Sequence, residues 1–88
     1  MDRVFAARLL LCHGADDPIV TAAQRDSFLA EASSAGVEWQ LHLYGGVGHS
    51  FTNPDIDALN LPGFAYDETA DRRSWQAMLN LFEETLAE

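Results

Sequence analysis

The chain has 88 residues and a mass of 9.7 kDa, enough for one domain, and 48% hydrophobic with 22% charged residues is ordinary globular composition. Fourteen acidic side chains against five basic ones, all arginine, give a formal charge of −9 and a pI near 4.4, which excludes a surface for gripping nucleic acid and disfavours docking on an acidic membrane leaflet. No apolar run approaches the roughly 20 residues of a spanning helix, Met1-Asp2-Arg3 does not begin a signal segment, and a lone Cys12 forms neither an internal disulfide nor a thiolate cluster, so a soluble chain in a reducing cytoplasm is expected.

In chain order, Ala6 to His13 carries Leu9, Leu10, Leu11 and Cys12 in one unbroken apolar run, the pattern of a strand buried on both faces of a parallel sheet. Gly14 to Pro18 is turn chemistry. Thr21 with Gln24 has capping-box spacing for a helix running to about Ala35, where Gly36 supplies a left-handed stop. Val37 to Tyr44 alternates, with Val37, Trp39, Leu41 and Leu43 on one side and Glu38, Gln40, His42 and Tyr44 on a wetter one. Strand, helix and strand in this order make a βαβ unit with parallel strands and a crossover helix, so both strand C-termini share one edge.

Gly45 to Tyr66 reads as a long irregular loop, and loops of that length usually serve a site. Asp67 to Leu86 reads as an amphipathic helix with Ala70, Ser74, Ala77, Met78, Leu81, Phe82 and Leu86 on one face and acidic residues at its start. No repeat, low-complexity tract or linker divides the chain, and the expectation is one α/β piece of βαβα order over residues 1–88.

Asp17 follows the first strand and His49 lies in the loop after the second, with about 31 residues between them. In open parallel sheets ligands collect outside the carboxyl ends of the strands, and neighbouring strands are about 4.8 Å apart, so this carboxylate and this imidazole share one crevice. A carboxylate that takes one ring N–H fixes the tautomer and leaves the other nitrogen as a general base. These are two members of a nucleophile-acid-base triad in the chain order of α/β-hydrolases. The third is missing, because no Gly-x-Ser-x-Gly or Gly-x-Cys-x-Gly elbow occurs. Cys12 cannot pair with His13, since consecutive strand residues point to opposite faces, and it reads as a structural thiol. Ser50 has no strained strand-to-helix turn to present it as a nucleophile.

Other polar residues have plainer uses. Asp16 suits a turn, His13 a packed or hydrogen-bonded position at the strand end, His42 an ordinary strand face, and Arg72 and Arg73 ion pairing with neighbouring acids. No H-x-x-x-H spacing, clustered cysteine or EF-hand pattern supports a metal site, and nothing calls for a cofactor.

The stretches LLLCHGADDPIV, VEWQLHLYGGVGHSFTNPD and AYDETADRRSWQAMLNLFEETL resemble the C-terminal portion of the dienelactone hydrolase family of α/β-hydrolases, from about Leu9 onward. The resemblance places the family's acid on Asp17, in the His13-Gly14-Ala15-Asp16-Asp17 turn, and its base on His49, in Gly48-His49-Ser50-Phe51. It implies a partial α/β-hydrolase fold and, in a complete protein, hydrolysis of a small ester or lactone through an acyl-enzyme. The family's cysteine or serine nucleophile and its oxyanion hole have no counterpart here, so the chain alone is expected to be inactive. The alternative is a non-enzymatic α/β scaffold or dimerising module that self-associates through the open edge of the first strand.

Overall fold

The computed structural model describes residues 8–87. Its regular elements follow the expected order: β1 (Arg8–Gly14), α1 (Ala22–Ser34), β2 (Glu38–Tyr44) and α2 (Glu68–Leu86). Ala6 and Ala7, the expected start of the first strand, lie outside the described residues. The strands pair in parallel, with Arg8 opposite Glu38 and Gly14 opposite Tyr44, which makes α1 the crossover and brings both carboxyl ends to one edge.

Local chemistry accounts for the helix boundaries. At the start of α1 the Thr21 hydroxyl accepts the Gln24 amide at 3.2 Å while the Gln24 side chain accepts the Thr21 amide at 2.9 Å, so two amides that the helix itself leaves unpaired are satisfied reciprocally. Beyond the far end Gly36 sits at φ 76°, a conformation that opposes continuation of the helix. Asp67 caps α2 by accepting the Ala70 amide at 2.9 Å, and its negative charge suits the helix N-terminus.

The helices cover opposite faces of the two-stranded sheet. His13 and Trp39 reach Arg25 and Ser33 of α1, whereas Cys12 and Tyr44, on the alternate face, pack on Val47, Phe51 and Ala70 beneath α2. The same alternation separates Cys12 from His13. The Tyr44 and Phe51 rings meet edge-on at 5.6 Å.

This cover is thin. Among the described residues no large side chain is fully buried, and Phe28, Trp39, Leu43, Trp75, Phe82 and Leu86 lie exposed. The apolar side of β2 is therefore as wet as its polar side, because a single alanine-rich helix is too narrow to shield it. Surface area gives the same result: the chain exposes 6338 Å², whereas a compact monomer of its mass exposes about 5,100 Å². The radius of gyration is 15.2 Å, against about 12 Å for a compact chain of this length.

The segment after β2 is more ordered than an irregular loop. It contains a 3₁₀ turn, Ile56–Leu59, whose Ile56 is buried, and an isolated parallel bridge between His49 and Phe64. That bridge is what positions the site.

Candidate active site

Asp17 and His49 meet at the carboxyl edge of the sheet. His49 Nδ1 lies 2.9 Å from Asp17 Oδ2, and the Asp17 side chain is only 6% exposed. The other carboxylate oxygen, Oδ1, accepts the Ile19 amide at 2.7 Å and the Val20 amide at 3.0 Å. Pro18 helps here: it has no N–H of its own, and it bends the chain so that the next two amides turn back onto the acid. Burial alone would raise the Asp17 pKa, but the hydrogen bonds from His49, Val20 and Ile19 outweigh it and lower the pKa from 3.8 to about 2. The acid is thus an anion over the whole physiological range.

Two loops must approach closely for this contact. The Ala15 amide donates to the Tyr44 carbonyl at 2.8 Å and the Asp16 amide to the Val47 carbonyl at 2.9 Å, tying the turn after β1 to the loop after β2. Gly14 permits that approach, since a Cβ there would strike the carbonyl oxygens of Val47 and Gly48. Gly48 does the same on its far side, where a Cβ would strike the Gly63 carbonyl. That carbonyl accepts the His49 amide at 2.9 Å, and the Ala65 amide donates to the His49 carbonyl at 3.3 Å. The Phe64 ring then stands edge-on to the imidazole at 4.8 Å. His49 is held by its backbone, by one ring nitrogen and by one ring face.

Ser50, next in the chain, has φ 61°, an uncommon conformation for a residue with a Cβ. It is part of the sharp reversal that lets the chain leave the crevice immediately after the imidazole.

The remaining ring nitrogen, His49 Nε2, has no partner among the described residues, and the imidazole is 32% exposed. It borders an open cavity of about 360 Å³ whose walls include Leu11, Val20, Phe51 and Ser74. A carboxylate that fixes one ring nitrogen and an imidazole whose second nitrogen is free form an acid-base pair able to take a proton from a nucleophile and return it to a leaving group.

Of the residues singled out in the sequence, Asp17 and His49 come together. Asp16 makes the turn contact described above, and Cys12 packs under α2. Arg72 and Arg73, expected to pair with neighbouring acids, make no ion pair with the described residues, and Asp71 beside them accepts the Tyr66 hydroxyl at 2.8 Å. Among the described residues no group of three or more potential ligands is arranged for a metal. Phe64 reads from sequence as a core or loop anchor, and its contact with the imidazole is not legible there, because an aromatic residue in a glycine- and proline-bearing segment has no periodic context.

Known proteins resemble this chain over most of its length. The sequence profile of the dienelactone hydrolase family matches residues 3–86. An uncharacterised protein of Caenorhabditis elegans is 32% identical over 75 residues, covering 85% of this chain and 48% of its own length. Two solved structures are each 45% identical and cover 88% of this chain and 32% of theirs. One is a dienelactone hydrolase-like promiscuous phosphotriesterase from metagenomic libraries, at a TM-score of 0.83. The other is designated m3DLH, at 0.82. The chain thus spans about half the length of the curated relative and about a third of the solved structures.

Proposed function

Since the chain belongs to the dienelactone hydrolase family, we propose that Asp17 and His49 are the acid and base of an ester- or lactone-hydrolysing triad whose cysteine or serine nucleophile comes from a segment outside these residues. The observation that carries this reading is the 2.9 Å contact between His49 Nδ1 and the buried Asp17 carboxylate, with Nε2 left open beside the cavity.

In the proposed cycle His49 Nε2 takes the nucleophile's proton as it attacks the ester carbonyl, and Asp17 stabilises the resulting imidazolium. The proton passes to the departing alkoxide. Water, deprotonated by the same nitrogen, then hydrolyses the acyl-enzyme. Without the nucleophile and the donors that stabilise the oxyanion, the 88-residue chain does not turn over. A reducing compartment is part of the proposal, on the strength of the unpaired Cys12 and of a cysteine among the family's nucleophiles.

The test joins this chain to the nucleophile-bearing portion of a dienelactone hydrolase-like relative and follows hydrolysis of an activated aryl ester. Turnover is expected only in the joined protein and is abolished by His49→Ala; turnover indifferent to His49 contradicts the reading. A second reading rests on the two-stranded sheet of the described residues, in which β1 pairs on one side only: a module that pairs with its own copy through the outer edge of β1. Analytical ultracentrifugation of the isolated chain separates the two, since the second requires a dimer whose formation β1 edge charges prevent.

A further inference from the structure

The site holds a second imidazole that the triad does not use. His13, at the end of β1, has a side chain only 9% exposed, and its Nε2 lies 3.3 Å from Asp17 Oδ2, the same oxygen that His49 engages. The contact is close in distance but not aligned as a hydrogen bond, and Nε2 is buried with no other partner. The other ring nitrogen, Nδ1, lies 3.5 Å from Arg25 Nη1 in α1.

Resting on the acid-base reading above, we propose that His13 is a positioning residue for Asp17, held by Arg25 as the Nε2–H tautomer so that its ring proton faces the carboxylate. Two arguments reach that tautomer separately. A guanidinium has only donors, so the nitrogen facing it accepts. At the other nitrogen, a lone pair would meet a carboxylate oxygen in a buried place, leaving an acceptor unsatisfied, whereas a proton finds an acceptor. A carboxylate has about four acceptor positions, and the Ile19, Val20 and His49 groups fill three. The fourth faces His13 Nε2, which lies 3.3 Å away and needs only a change of angle to donate to it.

The consequence is a relay of fixed orientations from α1 to the base: Arg25 orients His13, His13 and the two amides orient Asp17, and Asp17 orients His49. His13 itself is not a base in this arrangement, because its lone pair is turned to Arg25. The two imidazoles carry opposite tautomers, His13 with the proton on Nε2 and His49 with it on Nδ1.

Long-range ¹H–¹⁵N correlation spectra of the 88-residue chain, with both imidazoles neutral, read the two rings separately. The expected result is Nε2–H for His13 and Nδ1–H for His49. In His13→Leu the His49 Nδ1 proton is expected to be lost to exchange broadening, and in His13→Gln, whose amide can still donate, it returns. Arg25→Met retains His13 and is expected to let its ring relax to a mixture of tautomers, which provides a second reading where the leucine variant fails to fold. An Nδ1–H tautomer at His13 in a chain whose His49 is also Nδ1–H overturns this proposal and leaves the acid-base pair standing. An Nε2–H tautomer at His49 overturns the pair itself.

Discussion

At the carboxyl edge of the sheet the Asp17 carboxylate gathers two backbone amides and an imidazole, and the chain on either side of it is stitched to the neighbouring loop. On the α1 face of the same sheet Trp39 and Leu43 lie open, and the helices present Phe28, Trp75 and Phe82 to solvent. The difference is one of range. The edge is organised by contacts within and between two loops, with His13 of β1 and Arg25 of α1 behind the acid, and this chain contains them all. The faces require area that two helices cannot supply, and the chain's relatives extend well beyond the matched portion. A preformed site can therefore sit on a scaffold that is itself short of cover.

Several changes test that contrast. The largest effect is expected from Asp17→Asn in an enzyme completed with its nucleophile, where loss of the tautomer-fixing anion should lower kcat by about 10⁴-fold with little change in KM, as for triad acids generally. Steady-state kinetics with an aryl ester measure it. A retained kcat would separate the acid from the catalysis it is proposed to support.

Acid reports on the same carboxylate through stability. Its folded pKa of about 2 lies below the ordinary 3.8, so its contribution is fully present above about pH 4 and disappears as pH falls through 2. The magnitude is about 2 kcal/mol, and this part of the pH dependence should vanish in Asp17→Asn. Urea unfolding followed across that window supplies the comparison.

Gly48→Ala attacks the edge without touching either partner. The new methyl meets the Gly63 carbonyl, and the bridge that holds the His49 backbone must open, at a cost of roughly 2 kcal/mol. Loss of amide protection at His49 and Ala65, with β1 and β2 protection retained, is the expected hydrogen-exchange pattern. The smallest effect belongs to the scaffold: Thr21→Ala removes one half of the α1 cap and should cost about 1 kcal/mol, leaving the His49 signals in place. A change at His49 in that variant would mean that the α1 cap, and not the Arg25 contact alone, supports the edge.

Features that rest on short-range chemistry were legible in the sequence. The Thr21 and Gln24 cap, the position of β1, the Asp67 start of α2 and the convergence of Asp17 with His49 all follow from spacing or from the topology of a βαβ unit, whereas the expected burial of β1 on both faces does not hold: Leu9, Leu10 and Leu11 are only half-buried in a two-stranded sheet. The alternation of β2 correctly separates the side of Trp39 from that of Tyr44, but periodicity gives direction and not cover, so it could not reveal that the apolar side stays wet. Phe64 and the 3₁₀ turn at Ile56–Leu59 lay inside a segment read as irregular, because a single bridge and four helical residues leave no periodic pattern. His13 was placed correctly as a packed residue. Its nearness to Asp17 depends on how the Gly14-to-Pro18 turn folds back, which composition does not specify.

The central claim is that these residues assemble the acid-base pair before any nucleophile arrives. The most direct measurement is the His49 Nδ1 proton in the isolated chain, compared with Asp17→Asn. A single, slowly exchanging resonance that disappears in the variant is the predicted result. A folded chain in which His49 averages between both tautomers, with no difference between the two proteins, would contradict it.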